Sequence, residues 1–180
     1  MTSRHLIALV LIGMGGAAPA ATQSTDLEYD VRAAFLLNFT RYVEWPAGRP
    51  SLPFRMCVLG KSGFGPRLEA AMAGEKWQQQ SILVKTIDEL ANLPPCDLLY
   101  VPAEATDHFL AQQNTLETRP ILTIGETAPF LTGGGMIHLF VQDNHVRFSI
   151  NLRSATLAGL TMSSRLLRLA RELISPERGL

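Results

Sequence analysis

GGGMIHLFVQDNHVRFSINLRSATLAGLTMSSRLLRLARELI, residues Gly133–Ile174, decides the fold because its hydrophobic period changes partway along. From Met136 to Leu152 apolar and polar residues alternate strictly about the turn pair Asp143-Asn144, the pattern of a β-hairpin. One face collects Ile137, Leu139, Val141, Val146, Phe148 and Ile150, and is expected in the core. The other carries His138, Phe140, Gln142, His145, Arg147 and Ser149, so one side of the pair is left for solvent or a partner. After Asn151, a good N-cap residue, Ala155, Ala158, Met162, Leu166, Leu169 and Leu173 recur at helical spacing. The reading is a hairpin followed by one long amphipathic helix.

Working outward, 180 residues with 47% hydrophobic and 18% charged side chains suffice for one globular domain with a full core, expected over residues 25–175. The formal net charge is zero and no basic run occurs, which argues against nucleic acid as a partner. Arg4, the apolar run Leu6–Ile12 and the triplet Ala18-Pro19-Ala20 form the three parts of a secretory signal peptide over residues 1–20, cut near Ala20. The apolar run is too short to span a bilayer, so export, and a periplasmic location in a two-membrane cell, is expected. In an oxidising compartment the only two cysteines, Cys57 and Cys96, favour a disulfide, with a pair of buried free thiols as the alternative. Such a bridge would close a ring of about 40 residues and add about 4 kcal/mol.

Thr25 and Glu28 form a capping box, and Val31, Ala34, Phe35, Asn38, Tyr42 and Trp45 share a helical face, predicting a helix over 26–44 that stops at Pro46. Asn38 on that stripe is expected to be buried. Strands are expected over 54–60, 82–87, 96–101 and 120–125, with helices over 66–73, 88–92 and 106–114 between them. Alternation of this kind implies an α/β fold: a mostly parallel central sheet with helices on both faces, ending in the antiparallel hairpin and the long C-terminal helix. Strands one and three are adjacent in the common 2-1-3 order, which brings Cys57 near Cys96.

No chemistry is legible along this frame. The glycines at 60, 63 and 65 lack both the dinucleotide and the P-loop spacing, so no cofactor is expected. Ser62 lacks the flanking pattern of a nucleophile elbow. His138 and His145 share a hairpin face but stand about 13 Å apart along the ladder, too far for one metal ion. Glu104 and Asp107 read as a helix start. A non-enzymatic protein is expected, and Phe140 opposite Arg147, with His138 and His145 beside them, is the candidate partner-binding surface.

VRAAFLLNFTRYVEWP (31–46), CVLGKSGFG (57–65), LLYVPAE (98–104) and the stretch 133–171 together resemble the YfiR family of exported bacterial proteins. The resemblance implies an α/β domain that is often dimeric and acts as a periplasmic regulator. Such a regulator binds the periplasmic part of an inner-membrane diguanylate cyclase, lowers cyclic-di-GMP and restrains biofilm. An outer-membrane lipoprotein sequesters it in turn. Cys57 and Cys96 match the position of a family disulfide, while the cysteines of a second disulfide found near the hairpin in some members are missing here. The runner-up expectation is a small-ligand-binding module that feeds another membrane receptor, such as a sensor kinase, through the crevice at the strand ends.

Overall fold

The structure, a computed structural model, describes residues 21–47 and 53–175. The expected signal peptide lies outside the described residues, as does the side chain of Thr25 in the expected capping box. In chain order the elements are helix α1 (Ala21–Thr40), strands β1 (Val43–Glu44) and β2 (Phe54–Leu59), helix α2 (Phe64–Met72), and strands β3 (Lys76–Trp77), β4 (Gln80–Ile87) and β5 (Leu98–Val101). Helix α3 (Thr106–Gln112), strand β6 (Leu122–Gly125), helix α4 (Ala128–Thr132), and strands β7 (Ile137–Gln142) and β8 (His145–Asn151) follow. Helix α5 (Leu152–Leu157), strand β9 (Thr161–Met162), helix α6 (Ser164–Leu169) and strand β10 (Leu173–Ile174) complete them.

Eight strands form one sheet in the order β10-β8-β7-β6-β5-β2-β4-β3, and β1 pairs separately with β9. The central five, β4-β2-β5-β6-β7, are mutually parallel, and β8 runs antiparallel to β7. Strands flanked on both sides and covered on both faces read as continuous apolar runs, and LLYV of β5 is buried at every position. Alternate residues feed two cores. Met56, Val58, Leu98, Tyr100, Leu122 and Ile124 pack with α1, α2, α5 and α6. Cys57, Leu59, Leu99 and Val101 pack with Phe109 of α3 and Phe130 of α4 on the opposite face.

The hairpin forms with the expected register, Ile137 opposite Ile150, Phe140 opposite Arg147, and Gln142 opposite His145. Asp143 and Asn144 both take positive φ, 51° and 58°, as a two-residue type I′ turn requires. Its inner face meets α1 through an edge-on contact of Phe39 with Phe148, ring centroids 5.1 Å apart. At the tip the expectation fails: Val141 is 52% exposed, because the hairpin extends past the layer that covers its base.

The long C-terminal helix is corrected to two short helices and two short strands. Gly159, at φ 73°, ends α5 in a Schellman motif: its N–H bonds Thr156 O and that of Leu160 bonds Ala155 O. The chain then pairs Met162 with Val43, and Ser163 caps α6 by accepting from Leu166 N at 3.2 Å. Ala155, Ala158, Met162 and Leu166 are buried as their period suggests, but Leu169 is 66% and Leu173 42% exposed.

Three further expectations are corrected. Helix α1 ends at Thr40 and buries Ala33, Leu36 and Phe39, which rotates Asn38 out to solvent, where its Oδ1 accepts from Arg41 at 3.5 Å. No helix forms over 88–92; turns join β4 to β5. Cys57 and Cys96 are brought together by the β2–β5 pairing but are free thiols, not a disulfide. Cys96 Sγ donates to Leu98 O at 3.1 Å, and burial, reinforced by Cys57, pushes its thiol well above the ordinary range. Both sulfurs are small apolar core groups, and Cys96 has little thiolate character.

Candidate functional site

The outer face of the hairpin changes character along its length. At its base Ser149 is buried and His138 half-buried. The Nε2 of His138 lies 3.1 Å from the backbone oxygen of Glu126, and a carbonyl only accepts, so Nε2 carries the proton. Burial lowers the pKa of His138, which keeps the ring neutral at neutral pH. Phe140 stacks on this imidazole, centroids 4.7 Å apart and planes 29° apart, and is half-buried as a result. Towards the tip, Gln142, His145 and Arg147 are exposed, and His145 bonds its own turn, Nδ1 to Asp143 O at 2.6 Å. His138 and Phe140 are thus brought into contact, Arg147 faces Phe140 across the ladder, and His145 stands apart. Among the described residues no group of three or more metal-ligating side chains converges.

The chain after α6 completes this face in a way the helical reading missed. Arg171 N donates to Phe148 O at 2.7 Å and Ile150 N to Glu172 O at 2.9 Å, so the tail runs along the free edge of β8 before β10 joins it. Gln142, Asp143 and Arg147 from the hairpin and Leu169, Ala170 and Arg171 from the tail then line an open concavity of about 350 Å³. Leu169 and Arg171 are therefore site residues invisible to a periodicity argument, which buries Leu169.

A second polar cluster sits at the C-terminal ends of the parallel strands. In the order 2-1-3-4-5, the connections leave β2 and β5 in opposite directions, and the crevice between such strands is where open α/β sheets bind ligands. Beside it, at the ends of β5 and β6, the protein's own polar groups meet. Glu126, just after β6, accepts from Tyr100 OH and from Ala103 N at 2.9 Å, and pairs with Arg32 of α1 at 3.0 Å. Arg32 also holds Glu28 at 2.7 Å. Burial, then the Glu126 carboxylate, pushes the Tyr100 phenol well above its ordinary range, so it remains a donor. No local signal marks these three residues; the one available was the placement of Glu126 directly after a parallel strand. Elsewhere, a cavity lined in part by Phe109, Thr123, Met136 and Leu157 measures about 60 Å³, enough for water and too small for a metabolite.

A crystal structure described as a conserved domain protein from Vibrio cholerae O1 biovar El Tor str. N16961 is similar in fold, with TM-score 0.53 at 11% identity. The match covers 81% of this chain and 60% of that one, so the chain spans about three fifths of that protein's length. The profile of the YfiR/HmsC-like family, DUF4154, matches residues 29–171, from Tyr29 in α1 to Arg171 in the tail that completes the concavity. Since that match takes in every strand of the sheet but β10, together with both polar clusters, the chain belongs to the YfiR/HmsC-like family.

Proposed function

We propose that this protein is an exported regulator that acts by contact with the periplasmic part of an inner-membrane signalling protein, most simply a diguanylate cyclase whose cyclic-di-GMP output it lowers. Membership of the YfiR/HmsC-like family carries the proposal. Two observations support it. The first twenty residues have the three parts of a secretory leader, and among the described residues no helix is long and apolar enough to cross a membrane. The side chains on the hairpin's outer face, Phe140, Arg147, His138 and His145, form a half-exposed aromatic and basic surface, with no metal-ligand cluster among the described residues. On this reading the protein works as a homodimer in the periplasm, is sequestered in turn by an outer-membrane lipoprotein, and restrains biofilm.

Deletion should raise cellular cyclic-di-GMP, and the wild-type gene but not Arg147→Ala should restore it. Arg147 is exposed and makes no ion pair among the described residues, so the variant should fold as well as wild type. Unchanged cyclic-di-GMP on deletion, with no membrane protein crosslinked in intact cells, would refute the proposal.

A further inference from the structure

Charge is segregated in this neutral chain. Between His145 and Ser175 it carries five arginines, Arg147, Arg153, Arg165, Arg168 and Arg171, no lysine, and one acid, Glu172. All five are exposed, and among the described residues none makes an ion pair; Arg165 alone has a partner of another kind, its guanidinium lying 5.8 Å from the centre of the Tyr42 ring. By contrast Arg32, at the crevice, holds two carboxylates. Arg147 comes from the hairpin and Arg171 from the tail, and they line one concavity, with Leu169 in its wall exposing 66% of its surface. A guanidinium presents a planar fork of donors that matches a carboxylate, and an exposed leucine in the same lining offers an apolar contact.

Resting on the regulator reading above, we infer that this concavity takes up an acidic segment of the partner protein, carboxylates on Arg147 and Arg171 and an apolar side chain against Leu169. Charge decides among the occupants. A second copy docking through the same face would set arginines against arginines, and like charges brought together across an interface oppose association. A lipid surface is flat, whereas the two arginines here line a concave wall. A peptide segment has the shape to enter, and its backbone N–H groups can meet Asp143 and Gln142.

The test replaces Leu169 with photoreactive benzoylphenylalanine in the full-length protein in intact cells. The same substitution at Leu83, 53% exposed on β4 near the opposite edge of the sheet, is the control, and Phe140 on the outer face of the hairpin is a third probe position. The expected result is a membrane-protein crosslink at Leu169, absent at Leu83, mapping to a segment with clear excess of Asp and Glu. The double charge reversal Arg147→Glu with Arg171→Glu should lower its yield about tenfold or more while leaving the melting temperature within a few degrees. A crosslink to a second copy, to phospholipid or to a neutral or basic segment would overturn the inference, as would a yield indifferent to the charge reversal. A partner captured at Leu83 or Phe140 but not at Leu169 would overturn it and leave the regulator reading standing. No partner at any of the three positions, together with cyclic-di-GMP unchanged on deletion, would remove both.

Discussion

Replacing Glu126 with alanine tests whether the strand-end cluster holds α1 to the sheet. The substitution removes the acceptor of Tyr100 OH and Ala103 N and leaves Arg32 with Glu28 alone. The Glu126 and Arg32 side chains are 14% and 21% exposed, so solvent screens the pair only in part. Hydrogen bonds to a charged acceptor contribute about 1.5–3 kcal/mol each, and stranding one member of a buried pair costs about 3–5 kcal/mol. One carboxylate serves all these partners, so the terms do not add. A loss of about 3 kcal/mol is expected, which for a domain of this size lowers Tm by roughly 6–12 °C. Urea unfolding of Glu126→Ala, Arg32→Ala and the double variant measures the loss and the Arg32–Glu126 coupling. A loss under about 1 kcal/mol, or zero coupling in the cycle, would show that the cluster is a solvated surface feature and that apolar packing of Ala33, Leu36 and Phe39 holds α1 without it.

Other outcomes follow from the same structure. The raised phenol of Tyr100 means the folded state binds a proton that the unfolded chain gives up above about pH 10. Stability should therefore be full below that pH and fall as pH rises through it, and Tyr100→Phe should flatten the alkaline limb of the stability profile; an unchanged limb would count against it. Both cysteines should resist a thiol reagent in the native protein, and two thiols should titrate after denaturation without reductant, since both are free and buried. Recovery of none would contradict the free pair. Leu166→Ala should cost about 2–5 kcal/mol and Leu169→Ala under about 0.5 kcal/mol in chemical denaturation, because Leu166 is 3% and Leu169 66% exposed. Equal losses would favour the continuous helix over the broken one.

Where the governing interactions are local, the sequence alone determined the outcome. A two-residue turn at Asp143-Asn144 and strict alternation on either side specify the hairpin and its register, because a slip of one residue would turn every core side chain to water. Alternating strands and helices specify the parallel sheet and the adjacency of β2 and β5. The signals that break the last helix were also local, Gly159 as a C′ residue and Ser163 as an N-cap, but the apolar period running through both obscured them. Tertiary structure decided the rest. The rotation of α1 that exposes Asn38 depends on which stripe meets Phe148 and the sheet, and a helix apolar on several sides does not announce it. Whether Cys57 and Cys96 are bonded is not a matter of spacing. Glu126 meets Arg32 and Tyr100, and Arg171 lines one concavity with Arg147, only because the sheet order and the turned-back tail bring separate segments together; no short-range pattern records a juxtaposition whose partners are chosen by the packing of the whole chain.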